Sequence, residues 1–291
     1  MTRSSTLIPV AALLISASMW GTLWYPMRLL EGSGLQGLWS TLIVFSAAML
    51  VGLPMLWRHR IEVHHLGHYA TLALAAGWCN VAFILAVIEG NVVRVLLLFY
   101  LSPLWTVILG KLLLNESLSR EAGATLVLAM TGAVIMLWDP AIGLPWPQES
   151  ADWLAISSGM AFALNNVIVR KLQGVSIWTK AGVSWIGVIF VAVALLMVTE
   201  PRLPQVAGEV YLSAFALGAI GMVTMTLAVL YGVTHMPAHR SAVILLFELV
   251  AGTVSAQLLT EEVVETSEWI GGVLIISAAL FAARSHAKEG D

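Results

Sequence analysis

Ten apolar stretches, each about as long as a bilayer is thick, account for almost all of this 291-residue chain. A helix that crosses the hydrocarbon needs ~20 mostly apolar residues. Because lipid offers the backbone no hydrogen-bond partners, such a segment must be helical rather than an open strand. Only 11% of the residues are charged and the mean hydropathy is +0.89, whereas a soluble domain has about 25% charged residues. The sequence therefore predicts an all-α integral membrane protein.

The stretches predict ten transmembrane helices joined by short polar connections. Connections this short place consecutive helices side by side and antiparallel, and they leave no room for a soluble domain. The first stretch follows Arg3 as a secretion signal would, but it lacks a convincing small-residue cleavage site, so we interpret it as the first helix. The predicted spans are 7–27, 38–57, 69–88, 92–113, 121–138, 152–169, 177–199, 210–232, 240–260 and 266–283.

The distribution of positive charge predicts the orientation in the membrane. Of the fourteen Lys and Arg residues, only Arg28, Arg94 and Arg202 fall on the side opposite the N-terminus. Positive residues in short loops mark the cytoplasmic side, so both termini are expected in the cytoplasm. The other positive residues are Arg3, Arg58, Arg60, Lys111, Arg120, Arg170, Lys171, Lys180, Arg240, Arg284 and Lys288.

The chain is expected to contain two inverted five-helix repeats. The segments that begin at Val95 and at Arg240 each hold an apolar span, a short acidic turn and a second span, with the turns at Glu116 and Glu261. An odd number of helices per half turns the second half upside down, and inverted repeats place a substrate site near the midplane between them. The alternative is a bundle whose symmetry is accidental. The expected units are 1–140, an outer linker 141–151, and 152–291.

Three short motifs resemble one transporter family. The string YLSP at 100–103, followed thirteen residues after its proline by Glu116, resembles the first-half signature of the EamA-type ten-helix members of the drug/metabolite transporter superfamily. Residues 231–240 and the Phe-Glu pair at 247–248 resemble the matching region of the second half. The string WIGG at 269–272 resembles the start of the last helix in that family.

This resemblance covers the whole chain in length, number of spans and position of the break between halves. Within the family, the tryptophan-rich first helix and the string FYLSPLW look most like the YddG-type exporters of aromatic and other neutral amino acids. The resemblance implies a secondary transporter that exports neutral amino acids or similar small metabolites by alternating access, in a bacterial inner membrane. Leu249 stands where the ninth helix of the family has proline, so the sequence alone does not support a kink at that point.

Three of the twelve tryptophans, Trp20, Trp78 and Trp105, lie well inside their predicted spans. A buried indole N–H needs a hydrogen-bond partner, and lipid tails offer none. Each ring therefore packs between helices, faces lipid or lines a cavity, and we expect at least one of them to line a central cavity. An aromatic wall suits an apolar or aromatic substrate side chain, and it can also hold an ammonium group by cation–π attraction.

Four other residues are polar or aromatic candidates within the spans. Asn80 shares a helix face with Phe83, and Asn165 and Asn166 are neighbours near the end of the sixth span. Polar residues in spans either join helices by hydrogen bonds or contact a substrate, and the sequence leaves both roles open. Two further candidates of the same kind are Tyr100 and Trp185.

Glu248 is an acidic residue deep inside a predicted span, eight positions after Arg240. A charged side chain costs at least ~2.5 kcal/mol at the bilayer centre, so such residues usually face a cavity or a partner. We therefore expect Glu248 to bind substrate or carry a proton, the alternative being a hydrogen-bonded carboxyl that fixes the ninth helix.

Histidines cluster in two loops, but the sequence gives little support for a metal site. Two histidines four residues apart can bind zinc, yet no Cys or well-placed Asp accompanies them, so solvated loops are expected. The chain contains no phosphate-binding glycine loop, nucleophile elbow or dinucleotide motif, so we expect no cofactor and no ATP-driven pump. The histidines are His59, His64, His65 and His68 in one loop and His235 and His239 in the other.

Two other functions compete with amino-acid export. One is a broad drug or nucleotide-sugar carrier on the same fold, and the other is an integral-membrane enzyme that uses the histidine loop and Glu248. An enzyme should gather polar residues at one membrane surface, whereas aromatic residues inside the spans dominate here, which favours transport. The expected partners are a small-molecule substrate and the bilayer, not nucleic acid. Because one chain contains both halves, a monomer suffices, and a dimer is compatible with this arrangement.

Overall fold

The computed structural model of the chain describes residues 3–35, 37–59, 62–90, 92–138, 146–199, 203–261 and 264–289. Within these ranges it contains ten helices long and apolar enough to cross a membrane, and no strand. The prediction of an all-α ten-span protein is confirmed, and every span end lies within six residues of its predicted position. The spans are α1 (Leu7–Gly32), α2 (Gly37–Leu56), α3 (Val63–Val87), α4 (Arg94–Leu114), α5 (Arg120–Leu137), α6 (Ser150–Lys171), α7 (Ile177–Thr199), α8 (Gly208–His235), α9 (Ala238–Leu259) and α10 (Thr266–Arg284).

Some predicted features lie outside the described residues. They are residues 141–145 of the predicted linker, together with Arg60, Arg202 and Glu262.

Glycines set the closest contacts between helices. A Cβ atom on Gly187 of α7 would lie 2.0 Å from the carbonyl oxygen of Ala73 in α3. A Cβ atom on Gly132 of α5 would likewise lie 2.7 Å from the carbonyl oxygen of Gly271 in α10. Hydrophobic association is weak within lipid, so small residues that let backbones approach closely drive helix packing there. These contacts fix α3 against α7 and α5 against α10.

The fully buried Trp185 anchors the packing of three helices. Its indole ring would lie 2.6 Å from a Cβ atom on Gly52, and its N–H donates to the hydroxyl of Thr226 at 3.2 Å. The ring therefore fills the space between α2, α7 and α8, and its polar atom has a partner within the protein.

Two helices at matching positions of the two halves, α4 and α9, are interrupted near their middles. In α4 the regular helix ends at Phe99 and resumes at Ser102, because Pro103 has no N–H to donate to the carbonyl of Phe99. In α9 the interruption falls at Leu246. The sequence did not support a kink in this part of α9, since Leu249 replaces the proline of the family pattern, yet the helix tightens here through bonds that span three residues. Interrupted helices of this kind line the binding sites of transporters.

Candidate functional site

The interruptions of α4 and α9 meet through Tyr100 and Glu248. Tyr100 is buried directly after the first half of α4, and its hydroxyl lies beside the carboxyl of Glu248 in the first turn of the second half of α9. Glu248 keeps part of its surface accessible although it lies in the middle of a span. A carboxyl at this depth is costly unless it faces a cavity or a partner, and Tyr100 supplies the partner.

Helix α1 packs against α9 at Glu248. A Cβ atom on Gly21 would lie 2.3 Å from the carbonyl oxygen of Glu248 and 2.8 Å from the amide nitrogen of Gly252. Only glycine permits this approach, so Gly21 brings α1 directly against the second half of α9. Trp20, the preceding residue, is half-buried and packs against the main hydrophobic core. One turn further on, the indole N–H of Trp24 donates to the hydroxyl of Ser255 at 2.9 Å.

A cluster of four aromatic rings surrounds the interruption of α4. The ring of Phe99 lies 4.9 Å from Phe83 of α3, 5.3 Å from Tyr100 and 5.7 Å from Phe162 of α6, measured between centroids. Gly159 lets α6 approach, because a Cβ atom there would lie 2.6 Å from the carbonyl oxygen of Phe99. Edge-to-face and tilted ring pairs at these distances attract one another, so the cluster is a stable apolar wall beside Glu248.

Hydrogen bonds fix α3 and α6 at the same level. The hydroxyl of Ser158 donates to the carbonyl oxygen of Cys79 at 2.7 Å, and the Cys79 thiol lies close enough to Glu248 to interact with it electrostatically. Asn80, next in sequence, is half-buried and donates its amide to the carbonyl of Ala76 in its own helix at 2.9 Å. Helices α3 and α6 are therefore held together beside the interruption of α4, while α1 and α4 contact Glu248 of α9.

The half-buried Trp105 has an indole N–H that is buried and finds no hydrogen-bond partner among the described residues. Asn165 and Asn166 of α6 also have side-chain polar atoms without a hydrogen-bond partner among the described residues. The amide of Asn165 donates to the side-chain oxygen of Asn166 at 3.5 Å, while the oxygen of Asn165 and the amide of Asn166 have no partner in the described part of the chain. Such groups are costly unless something pairs with them, so all three residues have polar atoms available to a ligand.

The structure places Trp78 on a different face of α3 from this cluster. The side chain is 44% exposed and shares its helix face with Leu74, which is 61% exposed. That face lies ~140° around the helix from Phe83, which belongs to the aromatic cluster. The indole N–H is satisfied by the hydroxyl of Ser157 at 3.2 Å. Trp78 therefore lies between α3 and α6 with part of its ring exposed, and Trp185, buried against Gly52, also lies apart from the cluster.

A second polar cluster, which we call the latch, joins the two halves at the face that carries the positive residues. Glu116, in the turn between α4 and α5, accepts a hydrogen bond from the backbone N–H of Ala238 at 2.8 Å and one from Nε of Arg170 at 3.3 Å. Its carboxylate also lies 3.8 Å from Nδ1 of His239. Burial alone would raise the pKa of Glu116, but these donors and the Arg170 charge outweigh it and lower the pKa below its usual value.

The opposite face carries a different link between the halves. Arg94 at the start of α4 pairs with Asp152 at the start of α6 at 2.8 Å, and both side chains are largely buried. Asp152 also accepts the backbone N–H of Gln148 at 2.8 Å and so caps α6. Glu261, at the turn that matches Glu116 in the second half, is exposed. The latch therefore has no equivalent at Glu261.

Sequence reasoning missed the aromatic partners Phe99 and Phe162 and all of the latch. Phe99 carried a signal, since it precedes the YLSP string. Glu116 also carried one, since it belongs to the family pattern, but no local feature pairs it with Ala238, which is 122 residues away.

Comparisons with known proteins agree with this geometry. The sequence profile of the EamA-like transporter family matches the chain twice, at residues 7–138 and 149–284. A solved structure, described only as "Crystal structure of protein", is similar over 97% of this chain and 99% of its own length, with a TM-score of 0.75 and 20% identity. At this identity the likeness concerns the fold alone. No match was found among curated proteins.

Proposed function

The chain belongs to the EamA-like transporter family, whose members carry small substrates across membranes, and from this premise we propose that it exports neutral amino acids, aromatic ones included, by alternating access. The observation that carries the proposal is the meeting of Tyr100 and Glu248 at two interrupted helices beside an aromatic wall. The membrane would be a bacterial inner membrane, with both termini and the latch on the cytoplasmic side, as the distribution of Lys and Arg indicates.

The chemistry of the central cluster matches the two ends of a neutral amino acid. A carboxylate at Glu248 attracts the substrate ammonium, and the rings around Phe99 suit an apolar or aromatic side chain. The buried N–H of Trp105 and the free amide atoms of Asn165 and Asn166 are donors and an acceptor available to the remaining polar groups. Trp20, next to the contact between Gly21 and Glu248, is a further candidate for the aromatic wall.

A nucleotide sugar fits this cluster less well. Its phosphates would be repelled by a charged Glu248, which is the group that α1, α4 and α9 bring to the middle of the bundle. The same carboxylate supports amino acids over uncharged drugs, because an uncharged molecule gains nothing from it. Membership of a transporter family likewise favours transport over the enzyme alternative.

The links at the two faces support alternating access. Glu116 lies in the turn between α4 and α5, whereas Arg170 lies at the end of α6 and Ala238 and His239 lie at the start of α9, so the latch must break when these helix ends move apart. Rocking of one repeat against the other is the usual motion of inverted-repeat transporters. We propose that the present structure is closed on the cytoplasmic side.

Substrate binding tests the proposal directly. Radiolabelled phenylalanine should bind the purified chain in nanodiscs, and leucine should displace it. N-acetylphenylalanine, which lacks the ammonium group, should compete at least ~10-fold less well, because a hydrogen bond to a charged group contributes about 1.5–3 kcal/mol. Glu248→Gln should lose this preference. Glu121→Gln, which removes an exposed carboxylate at the start of α5, is the matched control. Equal competition by the acetylated and free amino acids would reject the assigned role of Glu248.

A further inference from the structure

The turn between α2 and α3 gathers histidines that the sequence suggested were merely solvated. Residues Val63–His65 form one turn of 3-10 helix at the start of α3. This turn brings His64 Nε2 to 3.2 Å and His65 Nε2 to 3.7 Å from the same carboxylate oxygen of Glu62. The two imidazole rings lie 3.9 Å apart. The potential ligand atoms of the three side chains all lie within 4.8 Å of one another.

These separations match the coordination sphere of a small divalent ion. With metal–ligand bonds of ~2.0–2.2 Å, two ligands of a tetrahedral ion lie ~3.3–3.5 Å apart. The measured 3.2 and 3.7 Å bracket that range, so both imidazole nitrogens and the carboxylate can reach one ion with small rotations of the side chains. The ring of His68, one turn further along α3, is 5.9 Å from the ring of His65 and does not belong to this group of three.

We propose that Glu62, His64 and His65 form a binding site for a divalent late transition-metal ion, with Zn²⁺ as its best occupant. Two imidazoles and one carboxylate are a ligand set that suits zinc, nickel and copper, whereas magnesium and calcium prefer sites made only of oxygen. Three protein ligands leave one position for water. A bound ion would restrain the connection between α2 and α3. Helix α2 packs against α7 at Gly52, and α3 packs against α7 at Gly77.

The proposal stands apart from the transport function, because no residue of the central cluster or of the latch takes part. Glu62 and His64 are exposed, whereas Glu248 is enclosed within the spans, so an ion could reach the turn in any state of the transporter. Failure of amino-acid binding would therefore leave the metal site untouched, and the reverse also holds.

Zinc binding to the full-length chain, freed of any polyhistidine tag, tests the site. Titration against a fluorescent zinc chelator should give one ion per chain in nanodiscs, with no displacement by excess Mg²⁺. Either His64→Ala or His65→Ala should weaken zinc binding by at least ~10-fold, since even the loss of an outer-shell partner costs 10–100-fold in affinity. Co²⁺ in the same site should show the intense visible absorption of a four-coordinate ion.

His59→Ala is the matched control, because His59 lies in the same loop but its Nδ1 contacts the carbonyl of Met55 instead. It should bind zinc as the unaltered chain does. Two results would overturn the proposal: zinc affinity unchanged in both His64→Ala and His65→Ala, or an equal loss in His59→Ala, which would mean diffuse adsorption by the loop. Size-exclusion profiles of the variants check that the exposed substitutions leave the fold intact.

Discussion

Replacing Glu116 by Gln should weaken the closure of the latch face without unfolding the protein. Gln keeps a side-chain oxygen for the backbone N–H of Ala238, which is 2.8 Å away in the structure. It loses the negative charge that attracts Arg170 and His239, whose nearest nitrogens lie at 3.3 and 3.8 Å. The substitution therefore weakens one hydrogen bond and removes two electrostatic contacts between the halves.

The expected cost follows from the strength of these contacts. A hydrogen bond to a charged group contributes about 1.5–3 kcal/mol and one between neutral groups about 0.5–1.5 kcal/mol. The contacts to Arg170 and His239 are long, and the Glu116 and Arg170 side chains keep 19% and 20% of their surface exposed, so solvent screens part of their attraction. We expect a net loss of about 2 kcal/mol, which shifts the equilibrium between closed and open forms by ~30-fold toward the open form.

Spin labels on either side of the latch report this shift. Leu118 lies in the α4–α5 turn and is 39% exposed, while a Cβ atom at Gly174, beyond the end of α6, would meet no other atom within 4 Å. Cysteines at these two positions, in a Cys79→Ala background, can be labelled and their separation measured by double electron–electron resonance in nanodiscs. The unaltered latch should give one dominant short distance, and Glu116→Gln should add a longer population.

Glu121→Gln is the matched control, since this carboxylate is exposed at the start of α5 and takes part in none of the latch contacts described above. It should leave the distance distribution unchanged. If Glu116→Gln gives the same distribution as the unaltered chain, then the latch does not hold the halves together and the reasoning from its geometry is wrong.

Three further predictions follow from the same structure. The lowered pKa of Glu116 means that its contribution to latch closure is complete above its ordinary pKa of 4.5 and is lost as the pH falls below 4.5 through the lowered value. The spin-label distance should therefore lengthen on strong acidification. Trp105→Phe removes the unpaired indole N–H together with the five-membered part of the ring. If the N–H binds substrate, the KM of phenylalanine transport should rise at least ~2- to 10-fold with little change in kcat; an unchanged KM would assign the N–H no part in binding. A cysteine at Gln148 should react with an impermeant thiol reagent outside intact cells and one at Gly174 should not, and the reverse pattern would overturn the orientation drawn from the positive residues.

The sequence predicted the ten spans well because hydropathy is a local property. A run of about twenty apolar residues forms a helix in lipid whatever surrounds it. The interruption of α4 could also be predicted from the sequence, because Pro103 lacks a backbone donor wherever the helix packs. The interruption of α9 was not, because no proline marks it and its tightened turn at Leu246 depends on how α9 packs in the folded protein.

The rotation of each helix about its own axis was the main feature that the sequence left open. In α3, Leu72 is fully buried and Leu74 is 61% exposed, although the two residues are chemically identical. A helix that is apolar all round carries no signal that separates its protein-facing side from its lipid-facing side. The sequence therefore left open whether Trp78 lines a cavity, whereas in the structure its side chain is 44% exposed and Phe83, five residues later, joins the aromatic cluster.

Exchange of amino acids across a sealed bilayer tests the central claim most directly. Proteoliposomes loaded with unlabelled leucine should accumulate radiolabelled phenylalanine from outside without ATP, protein-free vesicles should not, and Glu248→Gln should lose most of this counterflow. Accumulation no faster than in protein-free vesicles, or accumulation that requires ATP, would contradict the account of this chain as an alternating-access transporter of neutral amino acids.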